Sequence, residues 1–230
     1  MGYLGDSYDK ALLHFGGADA STTFTDESGK VWTNRGNAQI DTAQSVFGGS
    51  SGLFDGTTDW IDTPDHADFN VGAGNWTVDF RLRLSAVAAL QYLFGQSDAA
   101  STVATRSVEM YFNNADATLH FWLGNGAAVC DVASVGTLVV NTWYHIALVR
   151  NGNTATQYIN GTADGNFDVT GVTLQDSGNL FSIARLGELA NFHTFGWIDE
   201  FRWSKGIARW AANFTPPTAP YGFVPKAGMI

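Results

Sequence analysis

Asn75-Trp76-Thr77-Val78-Asp79-Phe80-Arg81-Leu82-Arg83-Leu84 is the stretch that decides the fold. Trp76, Val78, Phe80, Leu82 and Leu84 fall on one face, and Thr77, Asp79, Arg81 and Arg83 on the other. Successive side chains of a strand point to opposite sides, so this run predicts a β-strand with one face in a core. The same signal recurs in both directions. Residues 11–15, 37–41 and 59–62 read as short strands before it. Residues 90–96, 108–113, 118–123, 156–159 and 180–186 read as strands after it. Residues 143–149 are apolar on both faces except for His145, as in a central strand covered on both sides. Asn151-Gly152 is the signal of a tight hairpin. Residues 23–32 read as strand, turn, strand, while 65–69 and 207–212 read as single helical turns. Cys130 sits in a strand-like run, residues 127–132. Trp76 and Trp143 read as core.

About a dozen short strands, almost no helix and no repeat of 20–50 residues predict an all-β fold. The expected architecture is a two-sheet antiparallel sandwich of the jelly-roll kind. The chain has 230 residues, 45% of them hydrophobic. That is enough for one core. The expected organisation is an N-terminal arm over 1–10, one domain over 11–221 and a tail over 222–230.

Twelve basic against 22 acidic residues give a net charge of −10. Binders of nucleic acid carry clustered Lys and Arg, so no nucleic-acid partner is expected. No apolar run reaches the length of a membrane span, and the first residues lack the pattern of a secretory signal. The single cysteine, Cys130, excludes an internal disulfide and reads as a buried, inert thiol.

The last strand is Gly196-Trp197-Ile198-Asp199-Glu200-Phe201-Arg202-Trp203-Ser204-Lys205. Counted by twos, Asp199 shares a face with Trp197, Phe201 and Trp203. A carboxylate among rings must be hydrogen-bonded, ion-paired or metal-bound.

Several strings resemble the concanavalin A-like lectin/glucanase superfamily, in the laminin-G-like form found in bacteriophage and bacterial proteins. They are Leu12-Leu13-His14-Phe15, residues 23–29, residues 47–56, Trp76-Thr77-Val78-Asp79-Phe80, residues 143–152, Tyr158-Ile159-Asn160-Gly161, residues 197–202, Ala208-Arg209-Trp210 and Phe214-Thr215-Pro216-Pro217. They run in family order over nearly the whole chain. Four positions depart from the usual pattern: Gly16, Arg81, Trp203 and Trp210. The resemblance implies a calcium tying the last strand to an early loop, with Asp199 as side-chain ligand and carbonyls near Ser51 and Gly52. Hydrogen bonding of Asp199 to backbone amides, or pairing with an Arg, is the competing reading. The series Asp55, Asp59, Asp62, Asp65 and Asp68 is a second candidate cation site, or a set of turn caps.

Glucanases of this superfamily alternate Glu, Asp and Glu along one strand, and a retaining glycosidase needs two carboxyls about 5 Å apart. No such string occurs. Asp199 and Glu200 fall on opposite faces, and Glu109 stands alone, so no enzyme activity is expected. Sugar binding uses aromatic platforms. Eight Trp residues exceed the needs of one core, and Trp60, Trp122, Trp203 and Trp210 are the candidates for partial exposure. The resemblance implies a non-catalytic virion component (capsid decoration, fibre or tail-associated) that assembles with other virion proteins or with itself and binds host or environmental glycans. A carbohydrate-binding adhesion module of a bacterial surface protein is the alternative, and a glycoside hydrolase a more distant one.

Overall fold

The computed structural model describes residues 6–222. Among these, two antiparallel sheets face one another and no helix forms. The first sheet holds β3 (Gln39–Asp41), β4 (Ser51–Asp55), β6 (Trp76–Leu84), β11 (Tyr144–Asn151), β12 (Thr154–Ile159), β13 (Thr162–Asp168) and β15 (Phe195–Lys205), in the order β13-β12-β11-β6-β15-β4-β3. β1 (Asp9–Leu13) joins it through β15. The second sheet runs β10-β9-β8-β7-β14-β5-β2. Its strands are β2 (Thr33–Arg35), β5 (Trp60–Thr63), β7 (Gln91–Gln96), β8 (Val108–Asn113), β9 (Thr118–Gly124), β10 (Ala128–Thr137) and β14 (Phe181–Ile183). This is the predicted jelly-roll sandwich.

The alternation in β6 does what the sequence implies. Trp76, Val78, Phe80, Leu82 and Leu84 enter the core between the sheets, where they meet Ile146 and Leu148 from β11 and Phe94, Met110, Phe121 and Phe181 from the second sheet. Each such side chain taken from water stabilises the fold by about 1.5–3 kcal/mol.

β15 departs from strict alternation, and the departure overturns the expected environment of Asp199. Asp199 lies opposite Arg81 of β6, while Arg202 lies opposite Asp79. Three steps along β15 therefore match two along β6, which is a β-bulge. Glu200 takes up the extra residue with a φ of 53°. The bulge reverses the facing of the strand. Ile198 before it and Phe201 and Trp203 after it all enter the core. Asp199 thus shares a face with Trp197 but not with Phe201 or Trp203. Past the bulge β15 also exchanges neighbours on one edge, from β4 to β1.

The outer face of the first sheet is covered by residues 207–221. Ala208, Trp210 and Phe214 pack on Ala147, Val149 and Tyr158. Thr77 donates its hydroxyl to the Ile207 carbonyl (3.1 Å) and accepts from the Arg209 amide (3.0 Å). Tyr221 closes the strap, its amide donating to Glu200 (2.8 Å). The helical turn expected at 207–212 is absent, because these residues bond to the sheet rather than to one another.

Other expectations need correction. Residues 23–32 form no strands; Asp26 gathers them into a loop by accepting from the amides of Leu12 and Ser28 and the indole of Trp32. Trp143 lies just before β11 and is half-buried, so it is not core. β1 begins inside the expected arm, and Arg209 pairs with Asp6 and Asp9 there. Residues 1–5 of that arm and 223–230 of the expected tail lie outside the described residues.

Candidate functional site

A cleft of about 410 Å³ opens at one end of the sandwich. Three segments build it: the turn after β4 (Asp55, Gly56, Thr57), the stretch entering β7 (Ala86 to Gln91), and the residues leading into β15 (Phe192, His193, Phe195). Gln91 fastens two of these walls. Its amide donates to the Ala86 carbonyl (2.7 Å), and its oxygen accepts from the Phe195 amide (2.7 Å). The Tyr92 amide donates to the Phe192 carbonyl (2.7 Å). Gly56 has a φ of 77°, and a Cβ there would come within 2.7 Å of Phe195, so only glycine lets the turn approach the third wall.

Two aromatic rings line the cleft without being buried. Phe192 is 47% exposed and Phe195 41%. Phe192 also sits at a φ of 65°. A bulky residue in that region is strained by about 1–3 kcal/mol and persists only where its surroundings impose it. Here the hydrogen bond to Tyr92 and the Tyr92–His193 bridge supply that constraint.

The polar groups are few. Asp55 accepts from the amides of Thr57, Thr58 and Asp59 and from the Thr57 hydroxyl. Burial would raise its carboxyl, but these donors outweigh it and hold the pKa at about 2. His193 is nine-tenths buried and hydrogen-bonds the Thr57 carbonyl through Nδ1. A carbonyl only accepts, so Nδ1 carries the proton and Nε2 is the lone-pair nitrogen. Nε2 has no protein partner. Burial, with the Arg185 charge nearby, lowers the His193 pKa, so the ring is neutral at pH 7.

The four tryptophans expected as platforms are not brought together. Trp203 is a correction: it is 1% exposed, in the core, its indole N–H donating to the Asp68 carbonyl (3.1 Å). Trp122 is also buried, under the guanidinium of Arg106 (4.2 Å). Trp210 is half-buried and stacked on Phe214 at 3.9 Å, holding down the strap. Trp60 alone lies near the cleft. It contacts His193 (5.2 Å), carries Arg185 over its ring (4.1 Å), and donates to Asp62 (2.9 Å). The four candidates are therefore structural, each indole engaged by an Arg, an Asp or another ring. Phe192 and Phe195 escaped sequence reading because a phenylalanine before a strand reads as core. The signal available was Asn191-Phe192-His193, aromatics in a loop between turn residues.

At Asp199 the structure selects hydrogen bonding. Oδ2 accepts from the amides of Val46 (2.8 Å) and Phe47 (3.1 Å), which fastens β15 to the loop before β4. Ser51 donates to the Gln44 carbonyl, and Gly52 lies in the ladder between β3 and β15 under the Phe15 ring. Calcium requires six to eight oxygens, and Asp199 brings one unpartnered side-chain oxygen, Oδ1. Among the described residues no group of three His, Cys, Asp or Glu could hold a metal. In the second acidic series, Asp55 and Asp59 accept from backbone amides, Asp62 binds Arg35, Asp65 accepts from Gln96, and Asp68 binds Lys30.

Asp199 Oδ1 has no partner. Burial, together with the adjacent Glu200, raises the Asp199 pKa to about 7 despite the two amides. The folded chain then holds a proton that the unfolded chain releases near pH 4. Stability from this residue is accordingly present at low pH and lost as pH rises from about 4 to about 7. Replacing Asp199 by Asn, which keeps an acceptor for the amides, is expected to leave stability unchanged at pH 4. At pH 8 it should raise stability by on the order of a few kcal/mol. Urea melts of both proteins across that range check this; parallel pH curves would refute it.

Glu109, the lone strand carboxylate, is fully buried and ion-paired with Arg106. Asp55 is the one carboxylate among the described residues lining the cleft.

A jelly roll with an apolar end cleft is a lectin-like binding domain in its fold. A laminin-G-type family model, described as the concanavalin A-like lectin/glucanases superfamily, matches residues 55–210, and the chain belongs to that superfamily. A comparison with curated proteins finds no match. Among solved structures, domain 4 of a GH43 extracellular arabinanase from Geobacillus stearothermophilus, in complex with arabinotriose, aligns with a TM-score of 0.66 at 16% identity, covering 87% of this chain and 93% of that one. The binding domain of Paraclostridial Mosquitocidal Protein 1 aligns with a TM-score of 0.65 at 16% identity, covering 87% and 49%. The botulinum neurotoxin serotype G binding domain gives 0.62 at 12%, covering 86% and 48%. The chain spans about half the length of these toxin binding domains. Likeness at such identities shows the fold.

Proposed function

We propose that this chain is a non-catalytic saccharide-binding module and that the end cleft is its site. The observation that carries this reading is the pair Phe192 and Phe195, rings left 47% and 41% exposed on a cleft whose polar groups are few and fixed. Sugar rings present C–H faces that pack on aromatic rings, while their hydroxyls need a few placed polar groups. A single carboxylate supports binding over glycoside cleavage, which needs two. The complex of the arabinanase domain with arabinotriose supports the same reading.

Phe192→Ala and Phe195→Ala are each expected to weaken glycan binding at least about tenfold, the loss of roughly 1.4 kcal/mol of contact. Both residues are half in solvent, so the melting temperature should hold within a few degrees. A glycan array followed by titration calorimetry reads the effect. Binding that ignores both changes would place the site elsewhere.

The strings that resemble bacteriophage proteins support a virion as the carrier of the module, a bacterial surface being the alternative. Peptide mass spectrometry of purified particles is expected to find the chain; its absence from particles would favour the surface.

A further inference from the structure

Resting on the reading of the cleft as a saccharide site, we infer that its ligand is a neutral saccharide and that acidic sugars are turned away. Among the described residues, the polar groups that line the cleft are acceptors or amphoteric, and none is a cation. Asp55 is an ionised carboxylate already holding three amides and the hydroxyls of Thr57 and Thr58, the exposed Thr57 hydroxyl keeps its oxygen free to accept, and His193 is a neutral ring whose unpartnered Nε2 is buried. Gln91 is fully engaged by the two walls it joins. Among the described residues no Lys or Arg lines the cleft. Arg185, which lies beyond His193 over Trp60, donates to the carbonyls of Glu188 and Leu189.

Such a site suits hydroxyl donors. A sugar hydroxyl gives its proton to the Thr57 hydroxyl oxygen, whose own proton goes to Asp55, and the C–H face of the ring rests on Phe192 or Phe195. A uronate or sialyl carboxylate has no donor of matching charge here. It would stand near the Asp55 charge in a cleft of low dielectric, where like charges repel far more than in water. The net charge of −10 also slows the approach of any anion.

The test uses the full chain on an array of matched pairs, among them galactotriose with trigalacturonate and lactose with sialyllactose. Hits confined to neutral members, and lost in Phe192→Ala, are expected. The best neutral hit and its acidic partner are then titrated at low and high salt. The neutral member should bind at least about tenfold more tightly. Ala89→Arg places a cation on the exposed rim of the cleft. It should improve binding of the acidic partner about tenfold at low salt and not at high salt, because a surface charge is screened. Equal or tighter binding of acidic members, abolished by Phe192→Ala, overturns the neutral preference and leaves the saccharide site standing. Binding of no glycan, neutral or acidic, removes the site and this inference together.

Discussion

Asp79→Ala is expected to cost about 3–5 kcal/mol of stability, the usual result of removing one partner from a buried ion pair. Asp79 is fully buried at the centre of the first sheet. It receives Arg202 in a two-point bond, at 2.9 and 3.0 Å, with His145 at 3.4 Å. Arg202 is in turn covered by Tyr221, its guanidinium 3.8 Å from the ring centre. Burial by itself would raise the Asp79 carboxyl. The Arg202 charge and the His145 hydrogen bond overcome it and hold the pKa well below the usual carboxylate range. Without Asp79 a guanidinium remains under the strap with no anion. The strap should loosen first, since Tyr221 and Trp210 pack on that guanidinium. Hydrogen exchange should show lost protection in residues 207–221 before the sheets open. The pH sign follows from the lowered pKa: the Asp79 contribution is present above about pH 4 and is lost as pH falls below it. Paired apolar replacement, Asp79→Leu with Arg202→Met, should recover much of the loss, because no charge is then left unpaired. Urea melts of the single and paired variants decide the matter. A single-variant cost under about 1 kcal/mol would mean that water reaches Arg202 freely.

That network lay beyond sequence reading for a definable reason. The strands carrying it were legible. The alternation of β6 correctly assigned Val78 and Phe80 to the core, and the apolar run of β11 marked a strand covered on both faces. What covers the second face is the strap, whose residues carry no periodic signal because they bond to the sheet side by side. The bulge at Glu200 was hidden too, since nothing marks a glutamate as the residue that adopts a left-handed φ. One unseen residue reversed the facing of half the strand, and Asp199 was assigned false neighbours. β13 was missed, and only part of β10 was read as strand-like. Both are edge strands with exposed, weakly alternating faces, as their burial patterns show. Their edges meet where Asp164 of β13 accepts from the amides of Val135 and Gly136. The candidate site was the least legible part. Exposure of Phe192 and Phe195 depends on how three distant segments close around them, and residue type alone favours burial for both.

Trp203→Ala should be the second large loss, about 3–5 kcal/mol, and it separates packing from recognition most directly. Trp203 is one of the positions at which the chain departs from the pattern it resembles, and one of the four tryptophans expected as platforms. Its position in the core explains the substitution without a ligand. The ring lies parallel to Trp76 at 6.2 Å and edge-on to Phe181 at 5.3 Å, Phe69 at 5.8 Å and Phe94 at 6.3 Å. These contacts join β15 and β6 to β14 and β7, so the indole links the two sheets. Truncation removes the transfer energy of the indole and leaves a cavity that rigid aromatic neighbours cannot close. It also leaves the Asp68 carbonyl without its indole donor. For a domain of this size the melting temperature should fall by on the order of 10 °C. Trp203→Phe should lose less, keeping the ring contact but not the hydrogen bond. Glycan affinity measured below the melting transition should stay within about twofold of wild type, since the cleft is built from other segments. Phe192→Ala should show the opposite pair of results: stability kept, affinity lost. If Trp203→Ala instead kept its melting temperature and abolished binding, Trp203 would be a sugar platform, and the burial that excludes it from that role would not describe the protein in solution.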